Sequence, residues 1–403
     1  MSAKEYWIWL QDTLGIKAQI NDILSYFKSP QNLYEAGDME WRLSGVLTPK
    51  QIQKLGEGSL DNAFKIMEQC ETNNIEVITP ESVQFPPLLK VLADMPAVLY
   101  VWGNLLPIND TVCVSVVGTR KASQSSVEVA KDLSASLSNA GATVVSGGAL
   151  GIDTAAHTGA LSVGGLTVAV LGCGLLSSYL LENKPLRQEI AKSGAVITEY
   201  PPSHPANRTT FPIRNRIISG MSVGTVVIEA GEKSGSLITA SLALSQGRDV
   251  FAVPGDIISS AYTGANMLIR DGARPVFCAM DVLEEYAYIY PNTLDLTQAQ
   301  KPISASAVEY QKTHAQKHIK PMQIIEKPKV QKQAKTPIIK KVLTDSVSQN
   351  ASKVYEHFGD EPLHINDIAQ KTGIATSCIL VALTELEILG YITLTQGRKY
   401  ILK

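Results

Sequence analysis

Four short apolar segments in the middle of the chain each end in a glycine turn, and this arrangement limits the fold more than any other feature. Thr111–Val117 runs into Gly118-Thr-Arg-Lys121. Ala142–Val145 runs into Ser146-Gly-Gly-Ala-Leu-Gly151. Leu166–Leu171 runs into Gly172-Cys-Gly174, and Thr225–Ile228 into Glu229-Ala-Gly-Glu-Lys-Ser-Gly-Ser236. Strands with no polar face, alternating with helical stretches, belong to a parallel sheet covered on both sides. Such sheets bind ligands outside the carboxyl ends of their strands. Glycine permits close backbone approach there, and helix N-termini aim N–H groups at anions. The pattern predicts a phosphate-binding rim.

The segments fall into four parts. Residues 1–75 read as short helices without a strand pattern, and Thr48 before Pro49 marks a helix start. Residues 76–295 hold the sheet, with helices expected near 123–140, 151–164, 184–193, 213–222, 234–247 and 264–272. Residues 296–348 form a tether: between 301 and 341 there are ten lysines and two acidic residues, with Gln and Pro but no apolar period. Residues 349–403 return to a helix, a helix-turn-helix through Thr372-Gly-Ile374 and a hairpin across Gln396-Gly397, which together make a winged helix. Its second helix, 375–387, carries no Lys or Arg, which favours protein contact or a structural role over duplex reading.

The net charge of −2 supplies no general attraction for a polyanion, so any such site must be a local patch. The five cysteines form no C-x-x-C pair, and buried thiols are expected rather than a metal site or a disulfide framework. The N-terminus lacks the basic and apolar regions of a signal peptide, and no apolar run reaches membrane-spanning length. A cytoplasmic protein is expected.

Cations cluster on the glycine turns. Arg120 and Lys121 follow the first, Lys233 lies in the fourth, and Arg214-Asn215-Arg216 opens a further helix. Guanidinium forks match phosphate oxygens, although Arg214 and Arg216 could instead pair with Glu199 and Glu229 to fix loops. Asp153 and His157 are one turn apart on a helix; capping by Asp153 and a satisfied histidine are the default, with a catalytic pair as the sharper reading. Gly172-Cys-Gly174 lacks the third glycine of a dinucleotide fingerprint, and Glu232-Lys-Ser234 lacks the glycines of a phosphate loop of ATPases. No zinc-protease motif or nucleophile elbow is present.

Taken in order, several motifs resemble one family. They are Val117-Gly-Thr-Arg-Lys-Ala-Ser123, Ser146–His157, Ala169–Leu175, Thr198-Glu-Tyr-Pro-Pro202, Phe211–Gly220, Glu229–Ala240, Val250–Gly255 and Gly264–Gly272. Together they resemble the bacterial DNA-processing protein A (DprA/Smf) family over about 85–290. The resemblance implies an α/β fold: an extended Rossmann-like core with a mostly parallel sheet, flanked by a small helical N-terminal domain and a C-terminal winged helix. It implies a recombination mediator that coats single-stranded DNA, acts as a homodimer and loads the RecA recombinase in natural transformation, without catalysis and without a cofactor or metal. Carried over by position, Gly118, Arg120, Lys121, Ser146, Gly147, Gly148, Lys184, Arg214, Asn215, Arg216, Lys233, Ser234, Gly235 and Ser236 would line the strand-binding site. The family usually has arginine where this chain has Leu150, so the rim lacks one cation.

Two other classes compete. Related Rossmann-like hydrolases cleave nucleotides, but they carry a Pro-Gly-Gly-x-Gly-Thr turn where this chain has Glu229–Ser236. A winged-helix regulator with a ligand-sensing domain would need a charged recognition helix.

Overall fold

In a computed structural model, residues 4–16, 18–299, 347–359, 363–374, 376–395 and 399–402 are described. The chain divides into two compact units, Met1–Ile319 and Lys320–Lys403.

The first unit is built on a nine-stranded sheet. Its strands are β1 (Glu76–Ile78), β2 (Leu99–Gly103), β3 (Val112–Val117), β4 (Ala142–Ser146), β5 (Thr167–Leu171), β6 (Ala195–Thr198), β7 (Gly224–Val227), β8 (Asp249–Ala252) and β9 (Arg274–Pro275). The spatial order is β1-β2-β6-β5-β4-β3-β7-β8-β9. From β6 to β9 all neighbours are parallel, while β1 and β2 close one edge antiparallel. Every residue of β3, β4, β5, β6 and β7 is buried, as a sheet covered by helices on both faces requires. The few hydroxyls in this sheet pair across strands: Ser115 Oγ lies 2.7 Å from Thr225 Oγ1, and Thr111 Oγ1 lies 2.6 Å from Thr143 Oγ1. Burying them unpaired would cost about 1–3 kcal/mol each.

The four glycine-ended strands are β3, β4, β5 and β7, as expected. β6, β8 and β9 are additional. With four, four and two residues they are too short to show a period against the adjoining helices. The helices near 124–139, 152–162, 184–193, 235–245 and 263–270 agree with expectation, while the helix expected at 213–222 starts earlier, at Thr210–Gly220.

The chain leaves β3 in the middle of the sheet, winds outward through β4, β5 and β6, and crosses back to β7 on the other side of β3. The carboxyl ends of β3 and β7 therefore diverge at a switch point, where α/β sheets open a crevice.

Five N-terminal helices (Lys4–Leu14, Ile20–Phe27, Pro30–Leu43, Pro49–Glu57 and Asp61–Thr72) pack against the β1–β2–β6 side and share its hydrophobic core. Thr48 caps the fourth in a full capping box with Gln51, and Pro49 follows it at the first helical position. Gln11 acts as a backbone surrogate. Its Nε2 donates to Glu199 O at 2.6 Å and its Oε1 accepts from Val98 N at 3.1 Å.

Leu296–Ala299, assigned by composition to the tether, is a short helix whose Ala299 is buried against the core. Residues 300–346, the rest of the tether to within two residues of its end, lie outside the described residues.

In the second unit, helices Gln349–Glu356, Ile365–Thr372 and Thr376–Ile388 pack with strands Leu363–His364, Ile392–Thr395 and Lys399–Leu402. The hairpin turn at Gln396-Gly397 and Ala375 lie outside the described residues. On the third helix Leu380, Val381 and Ile388 are exposed.

Candidate nucleic-acid interface

The crevice at the switch point is an open cavity of about 490 Å³. Three elements converge on it: the Gly118–Lys121 turn after β3, the first turns of helix Thr210–Gly220, and the N-terminus of helix Gly235–Ser245. Arg120 and Lys121 are exposed at its mouth. The Arg120 guanidinium stands 5.0 Å from the centroid of the Phe211 ring, and that ring lies 5.0 Å from Tyr179 at 45°. A cation–aromatic shelf is thus fixed at the edge of the cavity. Arg208, also exposed, adds a third cation, while Pro212 and Ile238 add apolar surface. Ser234 caps its helix by accepting from Ser236 N at 3.4 Å, which turns the helix N-terminus toward the cavity.

The turn carrying Arg120 and Lys121 is clamped from below. Thr119 N donates to Glu229 O at 2.8 Å, and Ile152 N donates to Thr119 O at 3.2 Å. The buried Glu229 carboxylate accepts from Ser123 N at 3.0 Å and from Ser123 Oγ at 2.7 Å. Pairing of Glu229 with Arg214 or Arg216 is not what the structure shows. Gly151 adopts φ +79°, and a Cβ there would meet Thr119 O at 2.4 Å, so no other residue fits.

Arg214 lines the floor with 4% of its surface exposed. Its Nη1 donates to Gly147 O at 2.6 Å and to Val170 O. A side chain at Gly147 would strike Arg214 Nη1 at 2.6 Å and Asp153 Oδ2 at 2.7 Å. Burial lowers the pKa of Arg214, opposed by the nearby Asp153. Burial raises that of Asp153, opposed by Arg214. Each charge thus stands in for the other's lost water.

Asp153 does not cap its helix. Its Oδ2 accepts from Ala149 N at 3.3 Å, in the preceding turn, and Gly151 is the cap residue. His157 is fully buried and pushed down to about 3 by burial, with the Arg214 charge adding. Its Nδ1 is 2.7 Å from Thr167 Oγ1, whose own proton goes to Val144 O at 2.7 Å, so Nδ1 carries the hydrogen and donates. Asp153 and His157 share no hydrogen bond, and a catalytic pair is not assembled.

Of the residues expected at the rim, Gly118, Arg120, Lys121, Arg214, Asn215, Ser234, Gly235 and Ser236 line this one cavity. Ser146, Gly147 and Gly148 are buried beneath it, with Ser146 Oγ donating to Val116 O at 2.7 Å. Lys233 is exposed on the outer side of its loop, and Lys184 stands at a separate cleft. Arg216 points away altogether. It is ion-paired to Glu199 at 2.6 Å and Asp94 at 3.1 Å, and it donates to Ile16 O at 3.3 Å. Arg208 and Phe211 were not among the expected site residues. Phe211 opens the motif Phe211–Gly220, three residues after Arg208, but nothing in its spacing separates a shelf from a core aromatic.

Chemically the cavity offers exposed guanidinium and ammonium groups, backbone amides at a helix start, and an aromatic face. This combination holds phosphates and leaves a π-surface beside them. Among the described residues no cluster of three His, Cys, Asp or Glu side chains could hold a metal ion, and no helix is long and apolar enough to cross a membrane.

Comparison with known proteins gives the arrangement a lineage. The DNA recombination-mediator protein A family matches residues 76–287, and the DprA winged helix domain matches residues 340–398. Protein Smf of Synechocystis sp. is 30% identical over 407 residues, covering 99% of this chain and 98% of the relative. DNA processing protein DprA of Streptococcus pneumoniae is 41% identical over 226 residues, covering 56% of this chain and 74% of that protein. The X-ray structure of DNA processing protein A from Streptococcus pneumoniae superposes with a TM-score of 0.61 at 33% identity, over 70% of this chain and 97% of that one. The chain belongs to the DNA recombination-mediator protein A (DprA/Smf) family.

Proposed function

We propose that the switch-point cavity is where this chain grips single-stranded DNA, and that the bound strand is handed to a RecA-type recombinase during natural transformation. The observation carrying this reading is the shelf of Arg120 over Phe211 at the mouth of an open, cation-rimmed cavity. A single strand presents phosphates and splayed bases together, and an exposed cation beside a ring meets both. A duplex would need a wider basic face than Arg120, Lys121 and Arg208 provide. The protein acts by holding the strand, without bond chemistry, and works as a homodimer in the cytoplasm.

A salt-titrated assay on the full chain tests this, with a labelled strand compared with its duplex. Wild type should prefer the single strand, and Arg120→Ala and Phe211→Ala should each weaken it regardless of base sequence. Unchanged binding in both variants removes this cavity from consideration. For the hand-over, the protein should speed the start of recombinase ATPase on a coated strand, and no acceleration would remove that part of the proposal.

A further inference from the structure

A second cleft, of about 700 Å³, opens beside the rim. One wall is a face of helix Lys184–Ser193, with Lys184, Arg187, Gln188 and Ala191 at helical spacing. The opposite wall is Trp102 of β2 together with the 175–181 loop, on which Leu176 and Leu181 are 37% and 62% exposed. No Asp or Glu lines the cleft. Lys192, at the far end, is paired with Glu189 at 2.7 Å.

Arg187 is the informative residue. Only 6% of it is exposed. Its Nη2 donates to Tyr179 O at 2.6 Å and Leu180 O at 2.5 Å, which fixes the left-handed turn at Leu180, φ +50°. Its Nε is buried with no hydrogen-bond partner, and among the described residues no carboxylate lies within ion-pair distance. A buried guanidinium whose charge is answered only by carbonyl dipoles is costly, and an anion in the cleft would complete it. Exposed Lys184 stands at the same wall. Adjacent Asn183 donates to Gly148 O at 3.2 Å, so the cleft begins one residue from the glycine turn beneath the rim. Trp102 is anchored by its Nε1, which donates to Asn73 O at 3.3 Å.

We infer that this cleft is a nucleotide subsite. It takes one nucleoside monophosphate unit, with the phosphate at Lys184 and Arg187 and the base against Trp102, Leu176 and Leu181. An indole face accepts any base, so the subsite is blind to sequence. The unit comes either from the strand held at the rim, in which case the inference rests on the proposed function, or from a free nucleotide of the same chemistry.

The test uses the full chain and a 5-iodouracil-substituted oligothymidylate, cross-linked by light and mapped by mass spectrometry. Cross-links are expected at Trp102 or on the 175–181 loop. Leu181→Glu, at an exposed position that tolerates substitution, should weaken strands long enough to reach the cleft by roughly tenfold. Trp102→Leu should abolish the cleft cross-link. Thymidine monophosphate added to Arg120→Ala protein separates the sources. Protection of the cleft cross-link assigns a free nucleotide, and absence of protection assigns the strand. No cleft cross-link together with unchanged binding in Leu181→Glu overturns the subsite, even where Arg120→Ala confirms the rim. Loss of binding in Leu181→Glu but not in Arg120→Ala or Phe211→Ala would instead keep the subsite and remove the rim.

Discussion

Arg120, on a glycine turn, and Arg216, near a helix start, both belong to motifs that the family resemblance carries to the strand-binding site, yet the fold gives them opposite surroundings. Arg120 is exposed, and a ring is its neighbour. Arg216 has 4% of its side chain exposed, between Glu199 and Asp94, at the seam where the N-terminal helices meet the core. What separates a ligand-facing cation from a structural one is whether the protein already answers its charge. Arg214 lies between the two cases: it lines the cavity, but its hydrogen bonds go to the carbonyls that shape the floor.

The largest effect should come from the buried member. Arg216→Ala leaves the Glu199 carboxylate buried without its ion pair and should cost about 3–5 kcal/mol. Urea unfolding would show it, whereas Arg120→Ala should shift stability by less than about 0.5 kcal/mol. An Arg216→Ala protein as stable as wild type but poor at binding single strands would dissolve the distinction.

Such a division was not legible in the chain. The sheet was, because β3, β4, β5 and β7 carry no charged residue and run into glycine turns. Short β6 and β8 were hidden by their length. Arg216 was carried to the rim by motif position, whereas the alternative pairing with Glu199 is the one the fold adopts; its second partner, Asp94, lies 122 positions away and gave no signal. Lys184 was carried to the rim by motif position, although its helix turns it to the neighbouring cleft. Arg208 lies in a polar loop with no period to mark which way it faces.

The pH dependence of stability should also belong to the buried side. His157 has a folded pKa near 3 against an ordinary 6.5. Its contribution is complete above about pH 6.5 and is lost as the pH falls toward 3, because only the unfolded chain takes the proton in that window. Between pH 6.5 and 5 the loss is roughly 2 kcal/mol. Glu199, raised to about 7 by burial with Asp94 adding and Arg216 opposing, works the other way. Its penalty is full above pH 7 and relieved as the pH falls toward 4.5. His157→Gln should therefore flatten the acid limb relative to wild type, measured as the difference in denaturation midpoints. Parallel curves would show that His157 titrates normally, and that the floor around Arg214 is wetter than its burial indicates.

On the exposed side the expected changes are smaller and visible only in salt. Removing Arg120 and Lys121 together should lower the slope of log affinity against log salt by about 1.4, at roughly 0.7 for each phosphate released from a single strand. An unchanged slope with weaker binding would mean that Arg120 acts through Phe211 alone, as an apolar shelf rather than a phosphate contact.

The smallest effect tests how far the strand travels. Leu150 is 39% exposed on the turn between Ala149, which lines the cavity, and Gly151, which holds the Arg120 loop. Leu150→Arg adds a cation at that edge without disturbing a buried partner, so stability should stay within about 0.5 kcal/mol of wild type. If the strand crosses this turn, affinity should rise by a few fold at low salt, the slope should steepen by about 0.7, and the gain should vanish near molar salt. The same turn lies above Gly148, whose carbonyl holds Asn183 at the entrance of the second cleft. A gain at position 150 that disappears in the Leu181→Glu background would trace one path from the Arg120 shelf to Trp102. A gain that survives there would end the path at the turn, and no gain at all would confine the strand to the Arg120–Phe211 side of the crevice.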